Sequence, residues 1–139
     1  MKVFVDTWGW LVLADPKDPF HSQAVLYYEE CSKDSGRIFT SDFVLDETFT
    51  LMFRRRPYKE ALHFCSGLLQ SPFIRIESVT EPRFLKTFEL RKRFSDKPLI
   101  SFTDLSSMTI MSELKVTDIL TGDAHFSHIG LGFRILPGR

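Results

Sequence analysis

VFVDT, residues 3–7, sets three consecutive apolar residues directly against an aspartate. An apolar run without alternation marks a strand buried on both faces, as in a parallel sheet covered by helices. Asp6 then falls at the carboxyl end of that strand, where a buried sheet tolerates no bare charge. The residues that meet it have to come from elsewhere in the chain.

Strand-like and helix-like segments alternate after this start. From about Pro19 to Asp34, the residues Phe20, Ala24, Tyr27, Tyr28 and Cys31 recur at helical spacing. A short β-like run, Arg37–Ser41, follows Gly36. Ser41 or Asp42 then caps a helix that carries Phe43, Val44, Leu45, Phe49 and Met52 and ends before Pro57. Pro57 suits the first turn of a further helix reaching Gln70. Ile74, Ile76 and Val79 alternate as a strand. Thr80 opens a helix with Phe84, Leu85, Phe88 and Leu90 as its apolar stripe, and a basic loop runs on to about Pro98. Ser101–Asp104 starts the next helix, through Leu105, Met108, Ile110, Met111 and Leu114. Residues 117–121 form a strand that stops at Gly122-Asp123, and Phe133–Leu136 a last edge strand. No repeat, low-complexity tract or linker interrupts the pattern. It predicts one α/β domain over residues 1–139, with right-handed crossovers and a mostly parallel sheet covered on both faces.

The bulk numbers agree with an ordinary globular protein: 139 residues, 43% apolar and 26% charged. Fourteen Phe residues point to an aromatic-rich core. Eighteen basic residues balance eighteen acidic ones, so no whole-molecule field steers the chain to nucleic acid. Polyanion binding would rest on local clusters, Arg54-Arg55-Arg56 or Arg91-Lys92-Arg93, each of which also reads as a solvated helix end. Cys31 and Cys65 lack metal-type spacing and read as free thiols of a reducing compartment. One lysine and an early Asp6 make a poor signal peptide, and no apolar run approaches the ~18 residues of a membrane span. The expectation is a cytoplasmic protein without membrane partners.

Parallel sheets bind ligands outside the carboxyl ends of their strands. Asp6 and Asp123 each follow a strand, so they face one crevice if those strands are neighbours. Each is also an ordinary cap for the structure after it. Glu47 shares a helical face with Phe43, Val44 and Leu51 and is expected to point toward buried surface. Asp46, about 100° away, points to solvent. A buried carboxylate calls for a cation, either Arg54 or a metal ion. Asp104 sits in SFTD, residues 101–104, a capping-box-like arrangement with Ser101 as N-cap, which does not prevent it from facing the same crevice. Four acids in one crevice repel, and a divalent ion relieves them. Oxygen-only ligands suit Mg²⁺ or Mn²⁺, ions that serve phosphate-ester chemistry by polarising a phosphate oxygen and activating water.

Taken together, VDTWGWLVLAD, SDFVLDETFTLMFRR, SFTDLSSMTIM and ILTGDAHFSHIGL resemble the successive motifs of the PIN-domain family, and in kind the VapC-type toxins of toxin–antitoxin pairs. The likeness runs from Val3 to Leu136. It implies a three-layer, Rossmann-like α/β/α domain with a mostly parallel sheet of about five strands. It also implies an Mg²⁺- or Mn²⁺-dependent endoribonuclease in which Asp6, Asp104 and Asp123 hold the metal. Glu47 would complete the cluster or orient the attacking water, and cleavage would leave a 5′-phosphate and a 3′-hydroxyl. No organic cofactor is implied. The implied partners are RNA, a second copy of the chain in a homodimer, and a small antitoxin whose C-terminal segment crosses the acidic groove.

Several neighbouring residues carry weaker readings. Asp46 and Asp96 are secondary acids, solvated or outside the ligand set. Thr7, Thr103 and Thr121 could bond to carboxylates or serve as caps. His125 and His128 read as surface or first-turn residues, and Trp8 and Trp10 as packing residues, with base stacking the lesser alternative. Two rival functions remain open. One is a metal-dependent phosphatase of another α/β family, disfavoured because Trp8 stands where the haloacid-dehalogenase-like pattern wants a second Asp. The other is a catalytically silent RNA-binding module on the same fold.

Overall fold

Val3, Phe4 and Val5 are buried along their whole length, as an unalternating apolar strand requires. The computed structural model describes residues 1–33 and 37–137. In chain order its elements are β1 (Val3–Val5), α1 (Thr7–Ala14), α2 (His21–Ser32), β2 (Ile38–Ser41), α3 (Asp42–Arg55) and α4 (Tyr58–Gln70). They continue with β3 (Ile74–Glu77), α5 (Glu81–Arg93), α6 (Phe102–Leu114), β4 (Asp118–Leu120), α7 (His125–His128) and β5 (Arg134–Leu136). Asp34 and Gly36, expected to end a helix and bound a strand, lie outside the described residues.

The strands form one sheet in the order β3-β2-β1-β4-β5, and every neighbouring pair is parallel. β5 is an edge, as expected. The chain first winds outward from β1 through β2 to β3, then returns to β4 and β5 on the other side of β1. Right-handed crossovers therefore place α1–α4 on one face and α5–α7 on the other. The strand order reverses between β1 and β4, where Val5 pairs with Leu120. That is the switch point at which a doubly wound sheet opens a crevice.

Helix α1 departs from the expected pattern. TWGWLVLA is apolar all round and shows no helical period, because the helix is wedged between the sheet and helices α2 and α3. Gly9 permits that wedge: a Cβ there would lie 2.5 Å from the Leu120 carbonyl oxygen and 2.8 Å from Val5 Cγ1. Hydroxyls tie α1 down where apolar contact ends. The Trp10 indole N–H donates to Thr40 Oγ1 at 3.0 Å, and Thr40 donates to the Val5 carbonyl at 2.9 Å. Thr48 donates to Thr7 Oγ1 and to the Val44 carbonyl, so Thr7 is a structural residue of the α1–α3 contact.

The caps follow the sequence closely. Ser41, Thr80 and Ser101 each accept the expected backbone N–H at the start of α3, α5 and α6. Pro57 sits one place earlier than expected, at the N-cap of α4 and not in its first turn, and Val79 lies past the end of β3.

Two expectations are corrected by burial. The fourteen Phe residues do not all join the core: Phe4 and Phe126 are fully buried, whereas Phe53, Phe73, Phe84 and Phe88 are exposed. The apolar stripe of α5 also faces outward, with Phe84, Leu85 and Phe88 at 45%, 57% and 50% exposure. Leu90 of the same stripe packs against the core, and polar contacts add to its hold on α5. Thr87 is buried against Thr109 of α6, and Arg83 bridges Glu77 of β3 and Glu113 of α6. Arg91, read from sequence as part of a basic cluster, is a loop clamp. Its guanidinium donates to the carbonyls of Phe94, Lys97 and Ile100 at 2.6–2.8 Å and so fixes the approach to Ser101. Cys31 and Cys65 are free and buried. Among the described residues no helix is long and apolar enough to cross a membrane.

Candidate active site at the carboxyl edge of the sheet

The pairing of Val5 with Leu120 sets the residues that follow them, Asp6 and Thr121, side by side at the switch point. Asp6 is buried and acts as the N-cap of α1, its Oδ1 accepting the Gly9 N–H at 3.0 Å. Its Oδ2 accepts the Thr121 hydroxyl. Thr121 Oγ1 in turn accepts the Asp123 N–H at 3.0 Å. One hydroxyl thus ties the first acid to the turn that carries the last. Both roles foreseen for Asp6, cap and crevice acid, hold in the same side chain.

Asp104 arrives from the first turn of α6, where Ser101 Oγ accepts its N–H at 3.0 Å. Its carboxyl group lies close enough to that of Asp123 for the two to interact. Asp123 Oδ1 also accepts the His125 N–H at 2.8 Å, which opens α7. His125 Nδ1 lies 2.9 Å from the same oxygen but is not aligned for a hydrogen bond, so the backbone group makes the contact. His125 is half-buried and His128 exposed, both in the single turn of α7.

Glu47 is where the helical reading fails. The buried line of α3 is Val44, Leu45, Thr48 and Met52, and Glu47 stands at its edge, exposed. Among the described residues it makes no ion pair with Arg54 or any other cation. Glu47 nevertheless lines the same crevice, a space of about 400 Å³ shared with Asp6, Asp104 and Asp123. All four acids singled out from sequence therefore meet in one crevice. Asp46 and Asp96 do not line it; both are exposed, and Asp96 faces Lys97 at 3.6 Å.

The electrostatics follow from this crowding. Burial pushes the Asp6 carboxyl up to about 7, assisted by the charges of Asp123 and Glu47 and opposed by the bonds from Thr121 and Gly9. Burial likewise raises Asp104 to about 8. The neighbouring carboxyl of Asp123 and the charge of Asp6 add to the rise, and Ser101 opposes it. Among the described residues neither carboxyl has an ion-pair partner that would oppose the rise.

The donors are carboxylates with the hydroxyls of Ser101, Thr103 and Thr121, and no His or Cys lines the crevice. That set suits a hard divalent cation. Among the described residues, no three of these acids close into a ready-made cage. Asp6 and Asp123 each have an oxygen engaged by backbone N–H groups, so the acids line the crevice without converging on a point.

Among the lining residues outside the predicted site set, Thr121, Trp8 and Arg55 shape the crevice. Thr121, read from sequence as a residue that could bond to a carboxylate, occupies the place after β4 that Asp6 occupies after β1 and does bond to it. The Trp8 indole is pressed against Gly122, where a Cβ would lie 2.5 Å from Nε1, and it meets Phe20 at a 58° tilt with ring centroids 5.7 Å apart. Arg55 lines the crevice from the last turn of α3.

Comparison with known proteins is consistent with this geometry. The family model described as PIN domain matches residues 3–131. The 23S rRNA-specific endonuclease VapC20 of Mycobacterium tuberculosis is 28% identical over 128 residues, covering 92% of this chain and 94% of that protein. Its crystal structure, a sarcin–ricin loop cleaving toxin, superposes with a TM-score of 0.80 over 93% of this chain and 95% of the other. A VapC ribonuclease of Archaeoglobus fulgidus is 27% identical over 129 residues, 91% of this chain and 80% of that protein. VapBC2 of Rickettsia felis, solved with a promoter DNA fragment, shares the fold at 16% identity and a TM-score of 0.75, with 97% of each chain covered.

Proposed function

The chain belongs to the PIN-domain family, and from that premise we propose that it is an endoribonuclease that cuts RNA at the carboxylate crevice, the toxin of a toxin–antitoxin pair. The observation that carries this reading is that Asp6, Glu47, Asp104 and Asp123 come from four separate places in the chain to line one crevice at the switch point. Similarity to nuclease toxins over nearly the whole length supports both the activity and the toxin role.

Asp6, Asp104 and Asp123 are the residues that would hold Mg²⁺ or Mn²⁺. When bound, such an ion neutralises charge, polarises a phosphate oxygen and acidifies water. The chain's own groups prepare the site. Thr121 orients Asp6 and fixes the Asp123 turn, and Arg91 and Ser101 set the entry of α6 and with it Asp104. Glu47, exposed at the rim, would complete the cluster or orient the attacking water. Cleavage of labelled RNA in Mg²⁺ or Mn²⁺, abolished by a chelator, is the expected result. No cleavage of any offered RNA, ribosomal RNA included, would refute the activity. A readout independent of activity is thermal: at pH 8, added Mg²⁺ should raise the melting temperature of the chain and leave that of Asp104→Asn nearly unmoved.

The acidic crevice suits a small antitoxin that inserts a basic side chain among the four carboxylates. Co-expression of such a partner should relieve toxicity. The outward stripe Phe84, Leu85 and Phe88 is the surface we assign to a second copy of the chain. Leu85→Arg and Phe88→Glu should each halve the mass measured by sedimentation. A dimer that survives both changes would rule out this face.

A further inference from the structure

The acidic crevice continues into a second depression of about 300 Å³ between α1 and α3, and the two share Trp8, Leu11, Leu51 and Arg55. Glu47, Leu51 and Arg55 are spaced i, i+4, i+8, so they form one ridge of α3 along the wall of the crevice, about 12 Å from end to end. The ridge begins with an acid and ends with a cation. RNA approaching four carboxylates meets repulsion that a neutral protein does not offset at long range. A local cation is needed, and among the described residues Arg55 is the one that lines the acidic crevice.

Its neighbours are less well placed. Arg56 faces Asp15 at 3.5 Å and Glu60 at 3.9 Å, and Arg54 lines neither depression. The acids of the second depression are engaged as well. Asp15 accepts the Lys17 N–H and faces Arg56, and Asp18 accepts the Phe20 N–H. Arg55 is exposed, and among the described residues no hydrogen bond or ion pair holds its guanidinium. A guanidinium is the group best suited to grip a phosphate through two parallel N–H bonds.

We infer that Arg55 holds a phosphate flanking the scissile linkage, and that the RNA strand passes from the acidic crevice over Trp8 and Leu51 into the second depression. Arg55 is thus a substrate-positioning residue, and the inference rests on the reading of the crevice as a ribonuclease site.

The test is fluorescence anisotropy of a labelled single-stranded RNA over a salt series. It is run in the Asp104→Asn background, where cleavage is silenced on that reading. Arg55→Ala should weaken binding about tenfold, the loss of one charge-assisted contact. It should also flatten the dependence of log K on log salt by about 0.7, one single-strand phosphate contact. Arg55→Lys should keep the salt slope while losing part of the affinity, and Arg54→Ala should match its parent. An unchanged slope in Arg55→Ala, an equal loss in Arg54→Ala, or no RNA binding by the parent overturns the inference. RNA left intact by the unsubstituted chain refutes the nuclease reading instead, and the binding comparison still decides Arg55.

Discussion

Asp104→Asn and Asp6→Asn are each expected to lower RNA cleavage by more than about 100-fold, the upper end for residues that merely support a metal ligand. Each should also melt higher than the unsubstituted chain at pH 8 in the absence of divalent ions. The second expectation follows from the raised carboxyls, Asp6 at about 7 and Asp104 at about 8 against an ordinary 3.8. A carboxyl raised by folding favours the protonated native state. Its contribution is complete below about pH 4 and is lost as pH rises through 7 to 8. Above that window the native chain holds charges that burial and neighbouring acids oppose. Asparagine cannot ionise, so the variants escape the loss. Asn keeps an oxygen for the Gly9 N–H and, at position 6, can donate to Thr121.

The gain should be roughly 5–10 °C at pH 8 and should vanish near pH 4. Mg²⁺ should narrow it by stabilising only the unsubstituted chain. Melting curves at pH 4, 6 and 8, with and without Mg²⁺, check all of this. Variants that melt lower than the parent at every pH would mean that the acids stabilise the fold and are not held there for chemistry.

Gly9→Ala carries the other large effect. Alanine normally improves a helix interior by about 1 kcal/mol over glycine. Here the added Cβ would fall 2.5 Å from the Leu120 oxygen and 2.8 Å from Val5 Cγ1, against a strand backbone and a core side chain that have no room to yield. Helix α1 has to lift from the sheet, and it takes with it the Gly9 N–H that holds Asp6. A net destabilisation of about 2–3 kcal/mol is expected, with weakened cleavage beside it. Urea denaturation measures it, and a more stable Gly9→Ala protein would show that the close approach is not strained.

What the sequence carried depended on how each signal is generated. VFV announced a doubly buried strand because the run has no alternation. Asp6, Asp104 and Asp123 announced the crevice because each stands at the end of a strand or in the first turn of a helix, where topology leaves few directions for a side chain. Helix α1 was illegible because a segment apolar all round has no polar face to create a period. Glu47 was misplaced by one step around α3. Thr48, although polar, takes the buried position because its hydroxyl bonds to Val44 and Thr7, which pushes Glu47 to the rim.

The outward stripe of α5 looked like core because hydrophobic spacing reports that a face will be covered and is silent about what covers it. Arg91 looked like a surface charge for the opposite reason. The three carbonyls it holds belong to a loop whose shape no periodicity encodes.

The most direct measurement is a time course of labelled RNA with the purified chain in Mg²⁺, run beside Asp6→Asn and Asp104→Asn on a denaturing gel. Cleavage by the unsubstituted chain and its near-absence in both variants, whose melting curves confirm a folded state, is the predicted result. Equal cleavage by all three proteins would contradict the assignment of the carboxylate crevice as the site of chemistry.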